Sequence, residues 1–299
     1  MPDTKPLGNL PIDPPTAPEH PLPQGACDAH LHMLAKEAAF PLWEGRVEDP
    51  AEGSLQEWVT RQRRHGATLG LGRTVVVHSI LYGADNAVTL AAVAALGKDR
   101  ARGIGLVRDG ADPSELDALA AAGVMGIRLN YVHGGVLSWA GAKALAPALA
   151  ARGMHIQMLL HTHQHMTEIA DDLHDLPVPV CFDHMGWPDV SLGVDDPGFQ
   201  TLCALLKDGL AWVKLSGAYR LARTPATVDP FAKALLDAND TRCVWGSDWP
   251  HIMLADAEQP DSGALLTQLI AWCGGSADRL HRVLVSNPEA LYGFDPSRR

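Results

Sequence analysis

Two histidines stand two residues apart in Asp28-Ala29-His30-Leu31-His32, a third follows an aspartate in Asp183-His184-Met185-Gly186, and an aspartate sits in Trp245-Gly246-Ser247-Asp248-Trp249-Pro250-His251. Alternate side chains of an extended strand share a face, so His30 and His32 can reach one point in space. Imidazole and carboxylate are the groups that move protons near neutral pH or hold a divalent cation. The set therefore suits hydrolysis of a carbonyl compound. Asp248 would take a proton from water, and His30, His32 and His184 would polarise the carbonyl and hold the oxyanion by N–H donation. Two structural alternatives compete: Asp248 as the cap of a following helix, which the loop-like Trp-Pro-His after it disfavours, and His184 as a supporting residue bonded to Asp183.

Around this set stand residues able to bind substrate. Arg128 closes one apolar run and Arg220 follows another, and each can offer a bidentate fork to a carboxylate. Ser79 and Asn86 can add hydrogen bonds, His251 and His133 read as rim residues, and Trp43, Trp187 and Trp249 read as walls. The alternating histidines of His161-Thr162-His163-Gln164-His165 look metal-like, but they lie where a strand gives way to a helix, which leaves a polar rim as the competing role.

Most of these residues end or follow apolar runs, and that regularity identifies the elements that position them. The runs are Ala26–Leu31, Arg73–His78, Arg102–Leu106, Gly126–Leu129, His155–Leu160, Pro179–Asp183, Ala211–Leu215 and Arg242–Trp245. Helical patterns alternate with them at Ser54–His65, Ala84–Leu96, Pro113–Ala122, Ala140–Ala151, Pro197–Leu206, Pro225–Asp237 and Gly263–Cys273. Eight such alternations, without a GxGxxG after the first strand, predict an α/β fold, a (β/α)8 TIM barrel over 26–299, whose site lies at the C-terminal ends of the strands. Residues 1–25, crowded with proline, read as an extended arm. The stretch from His32 to Gly53 is too long for an ordinary connection and reads as a loop over the barrel mouth.

Of the 299 residues 46% are hydrophobic and 20% charged, which is enough for one sizeable core. A net charge of -11 argues against nucleic acid or an anionic membrane as partner, whereas a few arginines in one cleft still allow a small anionic, oxygen-rich substrate. Five cysteines without CxxC spacing, no signal-like start and no long apolar run predict reduced thiols in a soluble cytoplasmic protein, and the arm and acidic surface allow a homodimer.

The segments DAHLH, DHMG, WGSDWPH and the closing SNPEALYGF resemble the amidohydrolase superfamily, in its amidohydrolase-related branch. GACDAHLHM, HSILYGADN, GIRLNYV, DHMGWPDV and KLSGAYRL, in that order, most resemble the group of 2-pyrone-4,6-dicarboxylate and sugar-acid lactonases. The resemblance implies a lactonase that works without a metal, so no cofactor is expected, and it gives Asp248 the role of base. It breaks in three places. Gly134 stands where an arginine is expected, and the tyrosines expected in the fifth strand and the mouth loop are missing from HIQMLL and GRVEDP. The reaction class therefore carries over better than the substrate. Two readings compete: a metal enzyme of the same fold, hydrolysing or decarboxylating a small acid, with Zn2+ or Mn2+ on His30, His32, His184 and Asp248; and a silent barrel that only binds.

Overall fold

The computed structural model describes residues 5–132, 134–254 and 259–299. Eight strands pair in parallel in sequence order: β1 Cys27–Leu31, β2 Arg73–Val77, β3 Ala101–Gly105, β4 Val124–Asn130, β5 His155–Leu159, β6 Val180–Phe182, β7 Ala211–Leu215 and β8 Cys243–Trp245. The ring returns on itself just beyond β8. There Leu31 bridges Trp249 in parallel, the Asp248 N–H donates to the His30 carbonyl at 2.8 Å, and the His32 N–H donates to the Trp249 carbonyl at 2.7 Å. This is the expected (β/α)8 barrel, and its closure is made by the candidate site residues themselves.

Strands covered by helices outside and by side chains inside are buried on both faces, so they read as short apolar runs rather than as alternation. Such runs place a strand to within a residue or two and leave its ends to the loops. Between strands, the helices start where the chain supplies caps. Ser54 and Glu57 form a reciprocal capping box for the helix Leu55–Leu69, and Asp112 and Asp196 accept from the first turns of Pro113–Ala121 and Pro197–Lys207. The helix expected from Pro225 begins at Asp229 instead, after a single 3-10 turn over Pro225–Thr227. A helix over Thr162–Ile169, which no apolar period announced, follows β5. Its buried Met166 and Ile169 are spaced for a helix, but the His-Gln-Thr run around them hides the pattern.

The arm is strapped along the barrel. Leu7 bridges Asp49 of the mouth loop, Asp13 pairs with Arg64, the Thr16 N–H donates to Asp261 at 3.0 Å, and the Gln24 amide reaches the Arg299 carbonyl. The mouth loop is held in turn by the Trp43 N–H on the Leu81 carbonyl, by the Tyr82 hydroxyl on Ala35 and by the Met253 N–H on Glu48. All five cysteines are free thiols. Among the described residues no helix is long and apolar enough to cross a membrane.

Candidate active site

Strand β1 and the loops after β1, β6 and β8 bring His30, His32, His184 and Asp248 together at the C-terminal end of the barrel. The Nε2 atoms of His30 and His32 each lie 3.7 Å from Asp248 Oδ1, and His184 Nε2 lies 4.0 Å from Oδ2. The approach depends on glycines in two of the motifs. A Cβ at Gly246 would stand 2.7 Å from the His30 nitrogen, and one at Gly217, where φ is +65°, would stand 2.6 Å from His184 Nδ1. Backbone strain gathers here as well. Among the described residues, six non-glycine residues have positive φ, namely His184, Met185, Trp187, Asp248, His251 and Met253, and all lie in the loops after β6 and β8. Such conformations cost about 1–3 kcal/mol each and persist where the surroundings impose them.

Each ring is fixed through its other nitrogen. His32 Nδ1 lies 2.9 Å from the Val77 carbonyl, and His30 Nδ1 lies 3.2 Å from Asp183 Oδ1. The Val77 carbonyl is an acceptor, and at His30 Nδ1 the Asp183 carboxylate is nearer than the Lys214 ammonium at 3.4 Å, so we assign the proton of each neutral ring to Nδ1. This corrects the expected role of two histidines. Neutral His30 and His32 turn lone pairs, not N–H groups, toward Asp248. His184 differs, because its Nδ1 lies 3.0 Å from the Ser216 hydroxyl, which can donate and so leave Nε2–H free to donate into the cavity. Burial lowers the pKa of all three rings and brings His184 down to about 3, so they stand neutral near pH 7.

Asp248 is fully buried and ionised. Burial alone would raise its pKa, but the Arg220 guanidinium outweighs that and holds it well below the usual carboxylate range. Arg220 Nε at 2.6 Å and the Tyr219 hydroxyl at 2.7 Å both donate to Oδ2. Oδ1 has no hydrogen-bond partner, and neither does His30 Nε2.

Below the histidines lies a polar layer that sequence reading did not assign. Lys214, wholly buried in β7, donates to Gln157 Oε1 at 2.6 Å and lies 3.6 Å from Asp183 Oδ1 and 3.4 Å from His30 Nδ1. Gln157 donates to Asp183 Oδ2 at 3.0 Å, and Arg128 lies 3.5 Å from that oxygen. Asp183 thus serves His30, not His184. The available signal was a lysine and a glutamine in mid-strand, in AWVKL and HIQML, where an apolar side chain would pack at no electrostatic cost.

Asp28 completes the layer by accepting from the Ser247 hydroxyl, the Ser247 N–H and the His30 N–H. Burial, opposed by these bonds, pushes its pKa from 3.8 up to about 6. A raised carboxyl pKa stabilises the fold fully below the unfolded value, and that stability is lost as pH rises through about 6. Between about pH 4 and about pH 8, Asp28→Asn should therefore gain on the wild type by up to about 3 kcal/mol in urea unfolding. A difference that stays flat with pH would show Asp28 to be ionised throughout.

The remaining expectations divide. Arg128 and Arg220 line the cavity with His32, His184 and Asp248, and Trp187 walls it. Ser79 and Asn86 do not line it: the Ser79 hydroxyl caps the turn at Leu81, and the Asn86 amide is spent on both backbone groups of Leu106. His251 is buried behind Asp248 against the Tyr219 and Ser262 hydroxyls, and Trp249 packs on Trp58, so neither forms the rim or wall expected. His133 lies outside the described residues. The rings of His161, His163 and His165 stack at 5.5 and 5.9 Å around a helix start, beside Trp187. Among the described residues, the group whose ligand atoms converge within 4.8 Å is His30, His184 and Asp248, not the 161–165 set.

That set fits a divalent cation once His184 gives its Nδ1–H to the Ser216 hydroxyl, which can accept as well as donate, and so frees its Nε2 lone pair. The buried Nε2 of His30 and Oδ1 of Asp248 lack partners, and rings anchored through Nδ1 to a carbonyl and a carboxylate are oriented as metal-binding histidines are.

Comparison with known proteins supplies the context. The family model described as Amidohydrolase matches residues 27–294. The chain is 33% identical over 293 residues to a 2-pyrone-4,6-dicarboxylate hydrolase of Comamonas testosteroni, covering 93% of each chain. It is 31% identical over 291 residues to a 4-sulfomuconolactone hydrolase of Hydrogenophaga intermedia, covering 91% of this chain and 90% of the other. A solved structure of a putative 2-pyrone-4,6-dicarboxylic acid hydrolase from Pseudomonas putida superposes with a TM-score of 0.74 at 27% identity, covering 92% of this chain and 99% of that one.

Proposed function

Since the chain belongs to the amidohydrolase family, we propose that it is a hydrolase that opens a small lactone bearing an anionic group. The observation that carries the reading is the Asp248 carboxylate: one oxygen is held by Arg220 and Tyr219, with His184 4.0 Å away, and the other is unpaired and faces His30 and His32 in the cavity that Arg128 also lines. The two relatives, at 31% and 33% identity, are named as hydrolases of anionic lactones, which supports the same substrate class here.

The substrate water donates one hydrogen bond to Asp248 Oδ1 and one to the Nε2 lone pair of His30 or His32, which leaves an oxygen lone pair aimed at the lactone carbonyl. As the water oxygen bonds to the carbonyl carbon, its proton passes to Asp248. The oxyanion is met by His184 Nε2–H, and the ring C–O bond then breaks as the leaving alkoxide takes the proton back from Asp248. The product is a hydroxy acid. Arg128 and Arg220 supply the positive charge that draws an anionic substrate to the cavity. Arg220 has a second effect: a substrate carboxylate that competes for its guanidinium loosens its hold on Asp248 and makes that carboxylate a better base.

The orphaned lone pairs favour a second form of the same reaction, in which His30, His32, His184 and Asp248 hold Zn2+ or Mn2+. A bound divalent cation supplies Lewis-acid polarisation and lowers the pKa of water to about 7. In that form Asp248 need only be a weak base, in keeping with its depressed pKa.

Elemental analysis of the purified protein, paired with hydrolysis of dicarboxylic- and sugar-acid lactones before and after chelation, separates the two. Turnover that survives chelation at sub-stoichiometric metal supports the metal-free form. About one metal per chain, with activity lost on its removal and restored on its return, makes the four residues ligands. No turnover of any lactone under either condition would overturn the substrate class.

A further inference from the structure

The cavity at Asp248 holds about 60 Å3, whereas pockets for small ligands typically run to about 300–1,000 Å3. It can take the reacting carbonyl and part of a ring, but not a whole substrate. Next to it, and sharing Ile80, Arg128 and Asn130 as a common wall, opens a chamber of about 390 Å3. Leu106, Val136 and Leu137 make that chamber apolar, and Arg108, in the loop after β3, stands in its lining. Arg108 is exposed and its guanidinium, among the described residues, has no hydrogen-bond or ion-pair partner, whereas Arg128 is already engaged by the His78 carbonyl and Asp183. The far wall is Gly134 and Gly135, and a Cβ at either would meet nothing within 4 Å. Gly134 is also the position where the resembling lactonases are expected to carry an arginine.

We infer that this chamber is a subsite for an acidic side arm of the lactone, with Arg108 receiving the carboxylate at the arm's end. The inference rests on the lactonase reading and specifies its substrate: a lactone whose ring carries a short carbon chain ending in a carboxylate. Apolar walls suit the methylenes of the arm, and an unpaired guanidinium suits its terminus.

The test compares a γ-lactone carrying a propionate arm with the same lactone carrying the methylamide, using wild type, Arg108→Met and Arg108→Lys. In Arg108→Met the acid-to-amide ratio of kcat/KM should fall about 10- to 100-fold, the size of one charge-assisted hydrogen bond at about 1.4 kcal/mol per tenfold. The loss should fall mainly on KM and be partly restored in Arg108→Lys. A ratio unchanged in Arg108→Met overturns the inference. If the wild type opens neither lactone, calorimetric titration with 4-hydroxyheptanedioate, the ring-opened acid, decides separately. Binding that weakens in Arg108→Met keeps the subsite while the reaction class fails, and equal binding by both proteins, or none by the wild type, overturns the subsite as well.

Discussion

Asp248→Asn is expected to lower kcat/KM on a turned-over lactone by about 10^2- to 10^4-fold, the usual contribution of a positioned general base, while the protein stays folded. The amide keeps the shape and can still accept from Arg220 and Tyr219, so the backbone turn at φ +61° and the closure of β8 on β1 have no steric reason to change. What is lost is the acceptor at Oδ1 that faces His30 and His32. A fall of about 10^3-fold corresponds to about 4 kcal/mol of transition-state stabilisation, well beyond one ordinary hydrogen bond. Activity within twofold of wild type, alongside an unchanged melting curve, would sink Asp248 as the base.

The second large effect is on stability. Asp183→Ala should destabilise the fold by about 3–5 kcal/mol, because the wholly buried Lys214 would lose its carboxylate with no route to water. Burial raises the Asp183 pKa, but His30 and Lys214, with Arg128 behind them, outweigh it and hold the group well below its ordinary value. The layer therefore stands or falls as a set. Lys214→Met in the same background should recover part of the loss by removing the unpaired ammonium, and the double-mutant cycle in urea would show the coupling. A single-mutant loss under about 1 kcal/mol, or strict additivity of the two changes, would mean that Lys214 is compensated by some other group. The same substitution releases His30 Nδ1, so turnover should fall even in conditions where the variant remains folded.

The differences between expectation and structure follow a pattern. β7 runs over Ala211–Leu215, as its apolar run indicated, and the other strands differ only at their ends, where loops compete for the same residues. The helix Thr162–Ile169 is legible only as the place where a strand gives way to a helix, without bounds, because its exposed face is largely histidine, glutamine and threonine, which carry no helical period of their own. Among the site residues, His30, His32, His184 and Asp248 are brought together because each ends a strand of one barrel. Ser79, Asn86, His251 and Trp249 also follow strands, yet their side chains are taken up by a turn, by Leu106, by hydroxyls behind the site and by Trp58.

The sequence by itself determined the eight strand–helix units, the end of the barrel that bears the chemistry and the four residues at its centre. Those depend on local apolar patterning and on which polar residues close each run. Only the tertiary structure decided which atoms of those residues face one another. The pairing of His30 with Asp183 and Lys214, the lone pairs turned toward Asp248 and the chamber between Arg108 and Arg128 join segments far apart in the chain. Their geometry is fixed by closure of the barrel and by the balance between burying a charge and finding its partner, and no local pattern encodes either.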